Sequence, residues 1–398
     1  MKNKVKSAQP LAENDNEPMQ VVFDKNPSVQ PNSIWQKFNG RLPLLALAIL
    51  ALLAAMWSGL IRVGWEFPLA LRIVPSVHGP LMITGFLGTL ISLERAVALQ
   101  KRWAYVAPLL NALGTIILVF NLDYNFGILI AVLGSIALLV VFGVILNRHL
   151  ALYTGTMALG VVLWTLGNLL WLGDLPRFHV VHWWTGFLIL TIVGERLELS
   201  RIQRLSQRTI ILYVTAVGIF VLGLAIDAAE GLTNADSEIG ARVIGLGIFA
   251  VAWWLVRYDI AQRTVRLQGL PRYIALCLLS GYVWLGVSGI LRLIYGGASG
   301  GFYYDAILHA VLIGFIMSMI FGHAPIIFPS VLGRPLTYRS IFYVQLILLH
   351  LSLVLRVLGD LVLSAPIRQW GAMLNVIAIL LFLFVTITTV AQSTRAAR

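Results

Sequence analysis

Histidines are the residues of this sequence best suited to chemistry, because of where they stand. His78, His179, His182, His309 and His323 all lie in or at the heads of long apolar stretches. Ionisable groups there are costly to bury in lipid and usually mark a functional site. A neutral imidazole is also a common metal ligand. Several at one depth in apolar surroundings suit copper, zinc or heme iron. The plain alternative for any single one is an interfacial belt with Trp171, Trp183, Trp184 and Tyr303. His149 sits in a basic turn and reads as solvated, and His350 reads as a core residue.

The histidines head related segments. "TGFLGTLISLER" runs from Thr84 to Arg95 and "TGFLILTIVGER" from Thr185 to Arg196, each with a histidine six positions before its threonine. A looser copy, "GFIMSMIFGH", runs from Gly314 to His323 behind His309. Small residues serve helix packing in membranes generally, but His, Thr, Glu and Arg at matching offsets are expensive there. They point to internal duplication.

Helices long enough to cross a bilayer must carry these segments. The chain has 398 residues, 59% hydrophobic and 12% charged, where a soluble chain is about a quarter charged. Apolar runs of spanning length, about 17 to 25 residues, recur twelve times. They cover about 43–61, 77–94, 104–121, 126–146, 151–172, 180–197, 209–227, 240–257, 273–294, 304–323, 340–363 and 368–391. The predicted fold is therefore an all-α polytopic membrane protein: a polar, disordered tail over 1–40, then one transmembrane domain over 41–398. The motifs fall on spans two, six and ten. That predicts three four-helix units, near 41–146, 151–257 and 273–391, related by an axis along the membrane normal.

The net charge of +12 is a matter of orientation. Arg95, Lys101, Arg102, Arg148, Arg257 and Arg272 fall in one set of alternate loops, whereas "DAAEGLTNADSE" (Asp227 to Glu238) falls in the other. The positive-inside bias predicts both termini on the cytoplasmic side, a bilayer as the surrounding partner, and no nucleic acid. Cys277 is the only cysteine, which excludes a disulfide framework and a CxxC motif.

Convergence of the repeat helices would bring His78, His179, His182 and His309 together as metal ligands near the outer face. His179 and His182, three apart, share a side. As cofactor ligands, His78, His309 and His323 are the candidates. On a regular helix His309 and His323 share a face but lie about 21 Å apart, too far for one metal. Glu94, Arg95, Glu195 and Arg196, about 24 Å below His78, read as structural ion pairs at the inner boundary. Arg62, Arg72 and Arg242, in outer loops, are candidates to pair with heme propionates.

Twelve spans with histidines on the second, sixth and tenth resemble the catalytic subunit of the heme-copper oxidases. That resemblance implies His78 and His309 as axial heme ligands and His179 or His182 as a copper ligand. Span seven has no histidine, span ten lacks a His-x-His pair, and span six has Trp183 and Trp184 where a tyrosine is usual, so the oxygen-reducing site is incomplete. "HAVLIGFIMSMIFGHAPIIFPSVLG" (His309 to Gly333) and "HGPLMITGFLGTLISLERAVAL" (His78 to Leu99) are more similar to the NnrS family. Its members are twelve-span bacterial membrane proteins regarded as containing heme and copper and linked to nitric oxide stress. The second segment lacks the further histidine and early glutamate of that family. The resemblance implies heme b and/or copper, a bacterial cytoplasmic membrane, a small gaseous or redox ligand such as nitric oxide, and a possible oxidoreductase. Electron donor and substrate are not specified. A cofactor-free transporter and a non-catalytic assembly subunit are the alternatives.

Overall fold

A run of about twenty apolar residues in lipid must satisfy its own backbone, and a helix is the local way to do so. The computed structural model describes residues 41–67, 75–200, 205–332 and 337–396, and no strand occurs among them. The predicted tail, Arg72 and the basic stretches 201–204 and 333–336 lie outside the described residues. Twelve long helices follow in order: α1 (Arg41–Arg62), α2 (Pro75–Leu99), α3 (Arg102–Val119), α4 (Tyr124–Arg148), α5 (Leu152–Leu172) and α6 (Arg177–Leu199). Then come α7 (Gln207–Thr233), α8 (Ile239–Tyr258), α9 (Leu270–Tyr295), α10 (Gly301–Ile327), α11 (Phe342–Leu361) and α12 (Ala365–Ser393).

Eleven of these are long and apolar enough to cross a membrane. The other, α6, is as long but carries more polar groups, and it sits inside the bundle. Every residue from Val180 to Thr191 is buried, the signature of a helix enclosed on all sides. In α10, 78% of the most apolar stretch is buried, against 39% in α7. Consecutive helices pack as neighbours, and α12 returns to α1. The helix α10 touches both α2 and α6, and Arg95 of α2 pairs with Glu195 of α6. The expected spans each fall on one helix.

Two features were not foreseen. First, α7 runs six residues past the expected end at 227, so Asp227 and Glu230 are helical and buried and do not lie in an exposed acidic loop. Glu230 closes the turn into α8 by accepting from the Ser237 hydroxyl (2.7 Å) and the Gly240 N–H (3.1 Å). Second, α2 and α10 are not regular. Each contains eight residues of π-helix, Leu81–Gly88 and Ala310–Met317. Both segments begin four residues before the motif glycine, Gly85 or Gly314, whereas α6 is α-helical through Gly186. A π segment widens the turn and often accompanies function. It lies between His309 and His323, so the 100° per residue used to relate their faces does not hold across it.

Candidate functional site

At one end of the bundle, α1, α2, α6, α10, α11 and α12 surround a cavity of about 110 Å3. Its wall is mostly aliphatic, including Met56, Met82, Leu87, Leu312 and Val376. His78 and His309 stand in it. They are 231 positions apart in the chain, yet their ring centroids are 6.3 Å apart with ring planes 26° from parallel.

Both rings are held by the same atom. Nδ1–H of His78 donates to the Ala55 carbonyl at 2.7 Å, and Nδ1–H of His309 donates to the Asp305 carbonyl at 2.9 Å. A histidine whose Nδ1 carries the proton has its Nε2 lone pair free for a metal. Gly59 makes room for the first ring, since a Cβ there would lie 2.8 Å from Cε1 and Nδ1 of His78. Behind His309, the Asp305 carboxylate is 3.3 Å from Nδ1 and takes a two-pronged bond from Arg356 at 2.7 and 2.9 Å. That pairing keeps a buried carboxylate beside the ring without leaving its charge uncompensated.

His179 and His182 form a separate cluster. Nδ1 of each lies 3.0 Å from one oxygen of Asp227, on α7. Arg292, buried on α9, donates from Nη1 to Nε2 of His182 at 2.7 Å. Both ring nitrogens of His182 are therefore in hydrogen bonds. Arg292 went unread in the sequence and Asp227 was read as the start of an acidic loop; the signal was there, as charged residues inside apolar spans.

At the opposite end, Arg95 contacts both Glu94, at 3.2 Å, and Glu195, on α6. Arg196 grips Asp259, after α8, at 2.9 and 3.0 Å. Each of these four residues is in an ion pair: Glu94–Arg95 lies within α2, while Arg95–Glu195 and Arg196–Asp259 reach beyond their own helices. His323 lies at this end, buried, with Nδ1–H donating to the Met319 carbonyl at 2.8 Å. It is not among the residues around His78 and His309. His350 is a core residue with partners: Trp284 Nε1 donates to its Nδ1 at 3.1 Å, and the Ser318 hydroxyl is 3.5 Å from Nε2.

Arg62 lines the His78–His309 cavity. Arg242 does not; it bonds the Leu293 carbonyl and Glu238. Among the described residues, no group of three or more His, Cys, Asp or Glu is arranged to hold a metal ion.

Fold and site together describe a helical protein with the span content of a multi-pass membrane protein and a paired-histidine cavity near one end. The chain belongs to the family described as Domain of unknown function (DUF8744), whose model matches residues 41–391. No curated protein and no solved structure matches it.

Proposed function

We propose that this chain is a heme-binding integral membrane protein in which His78 and His309 take one iron between them, and that it exchanges electrons with a small redox ligand. One observation carries the reading: the 6.3 Å between the two ring centroids, with both Nδ1 atoms tied back to carbonyls. A metal–imidazole bond is about 2 Å. A five-membered ring with bonds of about 1.33 Å has a radius of about 1.1 Å. Two imidazoles on opposite sides of one ion therefore have centroids about 6 Å apart. A copper(II) ion takes a square-planar or tetragonal ligand set, more than two histidines supply, while heme brings four nitrogens of its own, so the donor set favours heme b over copper(II).

Bound heme would supply one-electron chemistry at its iron. The chain's own residues do the rest. Ala55 and Asp305 fix the tautomer and the aim of the two rings, and Gly59 leaves room for one of them. Arg356 neutralises Asp305. The Asp227–Arg292 network engages both nitrogens of His182, which assigns that residue and His179 to holding α6, α7 and α9 together. His323 belongs to the far end of α10 and is assigned no ligand.

The aliphatic cavity wall favours a second element, binding of nitric oxide or another apolar diatomic reaching the site through lipid. His78 and His309 would both hold the cofactor, and the aliphatic wall would leave room for such a ligand beside them. The reading extends to the expected resemblance to the NnrS family, to a bacterial cytoplasmic membrane with the histidines near the outer face and both termini inside, and to three four-helix units. The matching π segments of α2 and α10 support the first and third units as counterparts.

The test is the optical spectrum of the purified protein, oxidised and reduced, with and without nitric oxide. The expected result is a Soret band with the sharp reduced bands of a six-coordinate heme, lost in His78→Ala and in His309→Ala. Protein free of heme and metal would overturn the reading in favour of a cofactor-free transporter or an assembly subunit.

A further inference from the structure

A second recess of about 420 Å3 lies beside the histidine cavity, at the same end of the bundle. Four residues line both spaces: Arg62, Gly79, Val181 and Tyr304. Ser76, Arg177 and Ser299 line only the second. The two spaces thus adjoin across a boundary that includes an arginine, a tyrosine and a glycine. At Gly79 a Cβ would meet no atom within 4 Å, so this part of the boundary carries no side chain and has room beside it.

The lining changes character across this boundary. The inner cavity is mainly aliphatic, whereas the second recess brings together two guanidinium groups from different helices, Arg62 ending α1 and Arg177 beginning α6. Arg177 uses Nη1 to donate to the Ser76 carbonyl at 3.0 Å. One of its five N–H donors is thereby committed, and that bond holds the side chain over the start of α2. Among the described residues, no carboxylate lines this recess. Two cations facing one concave space without an anion concentrate negative ions there. The planar guanidinium fork suits a planar oxyanion.

We propose that this recess is an anion-binding antechamber, taking a small inorganic oxyanion at Arg62 and Arg177 and opening past Gly79 onto the histidine cavity. The inference stands on the two spaces and their arginines, whichever group fills the inner one. A neutral diatomic needs no such chamber, since it can cross lipid; an oxyanion does, because an unpaired charge in lipid is costly. The antechamber therefore extends the substrate class of the site from apolar gases to small anions.

The native cysteine is buried, so single cysteines can be introduced at Ser76→Cys and Gly79→Cys in the full chain. The measurement is the rate of modification by the anionic sulfonatoethyl and the cationic trimethylammonioethyl methanethiosulfonates at low salt. The anionic reagent should react about tenfold faster, in line with electrostatic focusing by a charged cleft. Arg62→Gln with Arg177→Gln should abolish that preference at both positions. Nitrate, exchanged for gluconate at constant ionic strength, should slow the anionic reaction. Equal rates for the two reagents, or failure of both positions to react, would overturn the proposal. Equal rates together with pigment lost in Arg177→Gln would overturn it too, by giving these arginines to the carboxylates of the cofactor. A heme-free protein that keeps the tenfold preference would sink the heme reading alone.

Discussion

Arg292 donates to Nε2 of His182 across 2.7 Å, deep between α6 and α9, and Asp227 faces Nδ1 of the same ring at 3.0 Å. A guanidinium 3% exposed and a carboxylate 3% exposed are tolerable in such a place only because imidazoles lie between and beside them. Removing one charged member leaves the other buried and unpaired, at a cost of about 3–5 kcal/mol.

Asp227→Ala should therefore lower the melting temperature in detergent sharply. Combined with Arg292→Leu it should lower it by much less than the two single losses added together. Circular dichroism melts of the four proteins check this. Additive losses would mean that the two residues act independently.

Gly59→Ala should act on His78 directly, because its new Cβ would stand 2.8 Å from two ring atoms. The ring must turn or retreat, and heme retained per mole of protein should fall several-fold. Gly218→Ala, where a Cβ meets nothing within 4 Å, should leave heme content unchanged. A full heme complement in Gly59→Ala would argue against His78 as a ligand.

If heme is held between His78 and His309 as proposed, Asp305 should tune its iron through His309. Outer partners of a metal-bound histidine raise its basicity, and Asp305→Asn removes a negative charge 3.3 Å from its Nδ1. The midpoint potential should rise by about 60 mV or more, which corresponds to a tenfold shift for one electron. A spectroelectrochemical titration reads this. An unchanged potential would leave Asp305 with only the task of pairing Arg356.

At the other end, Arg95→Gln leaves Glu94 and Glu195 facing each other across α2 and α6 without their shared cation. Thermal stability should fall while the absorption spectrum of the folded fraction stays the same. A changed spectrum would mean that this cluster reaches the histidine cavity, contrary to its separation from it along the bundle.

Much of the architecture was legible without coordinates. Spanning length, the low charge of the spans and the motifs on α2, α6 and α10 are all local, and the helices obey them. Glu94, Arg95, Glu195 and Arg196 were picked out by type, though only Glu94 and Arg95 pair within their helix; Glu195 is held by Arg95, and Arg196 by Asp259. Asp227 was misread, because an acidic residue near a span end looks like the first residue of a loop until two imidazoles on another helix are known to meet it. The π segments left no mark in hydropathy, since a widened turn changes the hydrogen-bond register and not the residue types.

What the sequence by itself determined is the helices, because lipid forces every long apolar run to satisfy its own backbone and set its own length. What only the tertiary structure decided is company: His78 with His309, His182 between Asp227 and Arg292, His350 with Trp284. Which side chains meet depends on packing summed over helices far apart in the chain. Two histidines with like surroundings in the sequence therefore end with one facing an open cavity and the other locked in a salt-bridge network.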